Sequence, residues 1–248
     1  MKRGRTANLD LPRIGEPDMR CLTLALALLA GPALAQDTDL ELVLLADASG
    51  SITANELMFQ REGYAQAMTD PEVLAVIGNT AYGHIAVTYV EWAANQGQVV
   101  KWMRIANRED AAVFADSLLT SPRMAFGRNA IGRALLTGKA LIERNDLDGW
   151  RRVIDFSGDS AGNFSGPGIE QARDAVVASG ITINALPILR DAGRYPGLAQ
   201  TYKDRVIGGN GAFVVAAHSR ADFAEAVKRK LILEISGTMP GQQVVTRR

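Results

Sequence analysis

Two short stretches hold side chains whose types and spacing suit chemistry. In "LVLLADASGSI" an apolar run ends at Asp47, and hydroxyls follow at alternate positions, Ser49 and Ser51. One carboxylate and two hydroxyls in a single loop are hard oxygen donors of the kind Mg²⁺ takes, an ion that keeps near-octahedral geometry and several waters. So few protein charges would leave such an ion electrophilic toward an outside carboxylate. The same string also reads as a serine-rich turn entering a helix, with Thr53 as its N-cap. The second stretch, "VIDFSGDSAGNFSG", offers two chemistries. Gly158-Asp159-Ser160-Ala161-Gly162 fits G-x-S-x-G, which presents a serine nucleophile on a strand-to-helix turn. Asp159 is equally a carboxylate just beyond an apolar strand, where open α/β sheets gather ligands.

A hydrolase built on Ser160 needs a histidine base, and the chain has only His84 and His218. His218 follows Ser160, with Asp191 or Asp204 between them, so a triad order can be written. Against it, "GNFSGPG" delays the helix that should follow the nucleophile, and no His-Gly-Gly oxyanion segment lies upstream. A serine esterase using Ser160 stands as the alternative reading.

The elements that must position these residues alternate along the chain. Strand-like runs at Leu40 to Ala46, Ile85 to Trp92, Val99 to Ile105, Arg152 to Phe156, Thr182 to Leu189 and Ala212 to Val215 are interleaved with helical patterns. The helical patterns cover Asn55 to Met68, Asp110 to Leu119, Ile131 to Glu143, Ile169 to Ser179, Leu198 to Val206 and Ala221 to Ile235. Alternation of this kind predicts an α/β fold with a doubly wound, mostly parallel central sheet and helices on both faces. "LELVLLA" and "ITINALPIL" are nearly continuous apolar runs, as strands covered on both faces should be. The turn signal Asn95-Gln96-Gly97 makes one antiparallel edge hairpin. "VIGGNGAFVV" follows a helix and precedes a strand, the wrong order for a dinucleotide-binding turn. Glu91-Trp92 reads as packing plus an edge charge, and Lys228-Arg229-Lys230 as a solvated stripe.

Composition excludes some functions. Lys+Arg and Asp+Glu both number 27 in 248 residues, so no basic field points to nucleic acid. Arg20, the apolar run from Leu22 to Ala30 and Ala33-Leu34-Ala35 read as a signal peptide cleaved after Ala35, too short to span a bilayer. Residues 1–18 are polar and patternless and Met19 makes a better start, so they read as a start-site artefact. Cys21, the only cysteine, leaves with the signal and precedes the apolar run, which argues against a lipid anchor. The expectation is an exported, periplasmic or secreted protein with no stable membrane anchor, a domain over residues 36–237 and a flexible tail over residues 238–248.

Asp-x-Ser-x-Ser after the first strand resembles the start of the metal-ion-dependent adhesion site (MIDAS) of von Willebrand factor type A (vWA) domains. "QREGYAQAM", "YVEWA", "RRVIDFSGD", "GITINALPI", "VIGGNGAFVV" and "KRKLILEI" look like an exported bacterial branch of that fold, a domain family of unknown function, and the resemblance covers nearly all of Leu40 to Ser236. It implies a Rossmann-like sheet carrying Mg²⁺, or Mn²⁺ or Ca²⁺, and a non-catalytic module that captures an Asp or Glu carboxylate of a protein partner. Carried over by position, Asp47, Ser49 and Ser51 form the first loop and Asp159 matches the aspartate of a later loop. Asn129 in "GRNAIGRAL" stands where the family has threonine; its amide oxygen can still ligate. The neighbouring Arg128 would oppose a cation if turned inward. A further possibility is a scaffold that binds partners without metal. The other reading of Asp159 is a cap for the turn or the Ile169 helix, and that of Asn129 an N-cap for the Ile131 helix.

Overall fold

The computed structural model describes residues 36–189, 197–219 and 221–238. The signal-peptide reading, Asp191 and all of the tail except Thr238 lie outside the described residues.

Five strands form one sheet in the order β3-β2-β1-β4-β5. They are β1 (Gln36–Asp47), β2 (Ile85–Trp92), β3 (Gln96–Ile105), β4 (Leu147–Gly158) and β5 (Thr182–Pro187). All neighbours run parallel except β2 and β3, which form the expected antiparallel edge. Side chains alternate across a strand, so β1 supplies Leu40, Leu42 and Leu44 to one core and Val43 and Leu45 to the other. The first core is closed by α1 (Ala54–Met68), α2 (Pro71–Gly78), α3 (Arg108–Thr120) and α7 (Phe223–Ser236) through Tyr64, Val73, Phe114 and Leu231. The second is closed by α4 (Ile131–Glu143), α5 (Ile169–Ala178) and α6 (Leu198–Arg205) through Leu135, Val176 and Tyr202. This is the doubly wound α/β fold, with helices on both faces, that the sequence pattern predicts.

Several local readings change. Helix α2 was not expected; Asp70 caps it and Pro71 opens it, a pairing that favours a helix start. The hairpin turn falls on Ala93-Ala94-Asn95, and Gly97 lies inside β3, where a β-carbon would collide with Met124. The run at Ala212 to Val215 forms no full strand. It makes isolated parallel bridges, Ala185 with Val214 and, just beyond it, Ile188 with Ala217.

Two charges, one read as an edge charge and one as part of a solvated stripe, are core residues. Glu91 is fully buried and its Oε1 accepts from Arg61 Nη2 at 2.6 Å and Nε at 3.0 Å. Lys230 is fully buried, pairing with Asp155 at 2.7 Å and with Glu234 one turn along α7. Burial pushes the Glu234 carboxyl up to about 7, with the Asp155 charge adding to the effect and Lys230 opposing it.

Candidate functional site

The C-terminal ends of β1 and β4 bring the two sequence motifs together. Asp47 is the last residue of β1 and is fully buried, and the Ala48 N–H donates to Trp92 O at 2.9 Å, extending the β1–β2 pairing by one residue. The chain then turns sharply, because Ser49 N–H donates to Asp47 Oδ1 at 2.8 Å and Ile52 N–H to Ser49 O at 2.9 Å. Side chains of Asp and Ser that bond nearby backbone in this way favour turns over regular structure. Thr53 starts α1 with a complete capping box to Glu56, as expected.

Arg123 clamps this loop from outside. Its guanidinium donates to the carbonyls of Ala48, Ser49 and Ile52, the last two both at 3.1 Å. From α1, Gln60 Nε2 donates to Asp47 O at 3.1 Å. A small apolar cluster of Ala48, Ile52, Leu57, Ala93 and Ala125 lies with the loop. These contacts fix the backbone of the loop that carries Ser49 and Ser51.

The β4 end meets this loop directly. Asp159 N–H donates to Asp47 Oδ2 at 3.4 Å, Ser51 Oγ donates to Asp159 Oδ1 at 3.3 Å, and Ser49 Oγ lies 3.1 Å from Ser51 Oγ. Gly158 permits the approach: a β-carbon there would come within 3.1 Å of Asp47 Oδ2 and 2.8 Å of the Tyr202 hydroxyl. Beneath lie Trp92 and Phe156, stacked at 4.9 Å, with Trp92 Nε1 donating to Ser157 O at 3.0 Å. Tyr202 donates to Ser160 O at 2.8 Å, tying α6 to the same loop.

The electrostatics are those of two acids in a poorly solvated place. Burial, with the Asp159 charge adding to it, pushes the Asp47 carboxyl up to about 7 against the opposing hydrogen bonds from Ser49 and Asp159 N–H. The Tyr202 hydroxyl is held well above its ordinary value by burial and by both aspartates. Carboxylate, hydroxyl and amide oxygens make a hard donor set suited to Mg²⁺, Mn²⁺ or Ca²⁺. Among the described residues no cluster of three or more His, Cys, Asp or Glu could hold a metal ion, so any cation here would depend on the serine hydroxyls and water.

Asn129 reaches the same loops by another route. Its Nδ2 donates to Ser160 Oγ at 2.6 Å, and its carbonyl accepts from Phe164 N–H at 2.8 Å. It is not the N-cap of α4; that position is Ala130, and Asn163 Oδ1 instead accepts Gly132 N–H at 3.2 Å. Asp159 likewise does not cap α5, whose N-cap is Gly168. Arg128 does not turn inward: it is exposed, with its guanidinium carbon 3.7 Å from the centre of the Phe164 ring.

Ser160 is 5% exposed and is bonded by Asn129 rather than by a histidine. Beyond it the chain runs through a loop to Ile169 before helix resumes. His84 bonds the carbonyls of Tyr82 and Asp37 at the opposite end of the strands, and His218 N–H donates to Asp222 at 3.0 Å. Among the described residues, no triad is assembled around Ser160.

The order β3-β2-β1-β4-β5, the antiparallel edge and the loops at the strand ends define a vWA-like fold. The chain belongs to the family described as "Protein of unknown function (DUF1194)", whose model matches residues 37–239. Solved structures of similar fold include a pilus adhesin of Lactobacillus rhamnosus GG, with 14% identity and TM-score 0.57 over 82% of this chain and 32% of that one. A von Willebrand factor type A protein from Catenulispora acidiphila has 14% identity and TM-score 0.55, over 81% of this chain and 43% of that one. Proximal thread matrix protein 1 from the mussel byssus, solved with a zinc-occupied MIDAS motif, has 13% identity and TM-score 0.54, over 82% of this chain and 46% of that one. The chain thus spans less than half the length of each, and at these identities the likeness is one of fold. No curated protein matches the chain. No helix among the described residues is long and apolar enough to cross a membrane.

Proposed function

We propose that residues 36–237 form an exported binding module that captures a protein partner through a divalent cation, Mg²⁺ or alternatively Mn²⁺ or Ca²⁺. Asp47, Ser49, Ser51 and Asp159 would hold the ion, with Asn129 in reach through its hydrogen bond to Ser160, the neighbour of Asp159. The observation that carries this reading is the meeting of two aspartates from adjacent parallel strands, Asp159 N–H on Asp47 and Ser51 on Asp159, with burial raising the Asp47 pKa. Like charges brought together away from water are costly, and a hard cation offsets that cost. Two protein carboxylates leave such an ion able to accept a further acid from the partner. The similarity to a pilus adhesin and to a protein with a zinc-occupied MIDAS supports the same direction.

Mn²⁺ binding followed by electron paramagnetic resonance tests the reading. The chelator-stripped protein should take up one Mn²⁺, displaced by excess Mg²⁺, with affinity falling more than about tenfold in Asp47→Asn and in Asp159→Asn. Equal Mn²⁺ affinity in all three proteins would sink the assignment.

A further inference from the structure

Two exposed phenylalanines lie on the loops that carry the candidate cation ligands, and each has a guanidinium near its ring. Phe126 is 58% and Phe164 56% exposed, and Met124, two residues before Phe126, is 41% exposed. Phe126 is held by its N–H to Asn95 Oδ1 at 2.8 Å, and Phe164 by its N–H to Asn129 O at 2.8 Å. The Phe164 ring folds back over the Asp159 loop, so that a β-carbon on Gly162 would lie 2.7 Å from its Cε2. Large apolar side chains kept in water beside a polar site mark an interaction surface.

The two arginines differ. Arg123, 5.3 Å from the Phe126 ring, directs its donors at backbone carbonyls of its own fold. Arg128 lies 3.7 Å from the centre of the Phe164 ring, is exposed, and has no carboxylate partner among the described residues. A guanidinium stacked on a ring keeps its in-plane N–H donors at the edge, where they match a carboxylate bidentately; lysine cannot reproduce that geometry.

We infer that Arg128 on Phe164 is a second carboxylate anchor beside the cation site, and that the Phe126–Phe164 face fits a partner segment carrying two acids with an apolar side chain between them. This rests on the cation-mediated reading, in which the first acid completes the ion's shell. Because the first acid bonds to the ion itself while the second pairs with Arg128, ion and partner each strengthen the other's binding. The flanking rings favour a peptide, in which apolar and acidic side chains alternate, over a sulfated glycan.

The test uses the Mg²⁺-loaded protein and two synthetic probes, Gly-Asp-Phe-Glu-Gly and Gly-Asp-Phe-Gln-Gly, blocked at both ends. The Glu peptide should bind about two- to five-fold more tightly, the range for one exposed charge pair. That preference should vanish in Arg128→Ala and be only partly kept in Arg128→Lys, while neither substitution weakens Mg²⁺ binding measured without peptide. A preference unchanged in Arg128→Ala, or tighter binding of a sulfated disaccharide than of the Glu peptide, overturns the inference. If Mg²⁺ itself does not bind, the peptides are compared without it: an Arg128-dependent preference then upholds the anchor and sinks only the cation. Equal binding of both peptides overturns the anchor.

Discussion

Removing the charge of Glu91 should unfold the protein at much lower denaturant and loosen the candidate site with it. Glu91 is 0% and Arg61 2% exposed, so the ion pair is out of water. Arg61 also donates to the carbonyls of Leu118, Ser121 and Pro122, and Glu91 Oε2 accepts Met124 N–H at 2.6 Å. The pair therefore staples the segment that leads from α3 to Arg123, the residue that clamps the Ala48–Ile52 loop. Glu91→Gln keeps the shape and leaves a buried guanidinium without a counter-charge, which costs about 3–5 kcal/mol. For a domain of this size that corresponds to a fall in Tm of roughly 6–20 °C. Urea unfolding followed by tryptophan fluorescence reads the change, and Mg²⁺ affinity measured below the transition should fall as well. Arg61→Met combined with Glu91→Leu removes the uncompensated charge but leaves the Leu118, Ser121 and Pro122 carbonyls and the Met124 N–H without these partners, so it should recover only part of the lost stability. A loss below about 1 kcal/mol in Glu91→Gln would refute the view of this pair as a desolvated staple.

Asp47 gives a pH prediction. Its folded pKa, about 7, lies above the ordinary 3.8, so the folded state holds the proton more tightly. The associated stability is fully present below about pH 4, and is lost as pH rises through about 7; Glu234, also pushed up to about 7, acts in the same direction. Metal-free protein should lose stability from pH 5 to 8 in denaturant titrations, Asp47→Asn should show a smaller loss, and identical slopes in the two proteins would contradict the assignment. Gly158→Ala should destabilise by about 1–3 kcal/mol through overpacking against Trp92 and Tyr202. It should also weaken cation binding by pushing Asp47 from Asp159; full stability and full affinity together would show that the close approach is not needed.

The fold was legible because its signals are local and repeated. β1 is apolar on both faces, and the alternation of strands and helices leaves few topologies. The first loop was legible as a chemical string, since Asp47, Ser49 and Ser51 lie within five residues and the turn between them is set by their own hydrogen bonds. What was missed depends on distant partners. Lys230 was read by its charged neighbours Lys228 and Arg229, yet Val227, Leu231 and Glu234 share its buried face, and its second partner, Asp155, comes from β4. Period-2 alternation could have turned Glu91 inward, because Ile85, Val87 and Tyr89 lie on the same face of β2. Asn129 bonding Ser160, and Asn163 supplying the α4 cap, join loops 31 residues apart in sequence, and no local pattern encodes either contact.

The most direct test is a calorimetric titration of Mg²⁺ into the chelator-stripped protein and into Asp47→Asn at pH 8, where the Asp47 carboxyl is largely ionised. Saturable binding of one ion to the first, and binding more than about tenfold weaker to the second, is what a cation-dependent binding module predicts. No heat of binding to either protein, with or without a saturating acidic peptide, would contradict it.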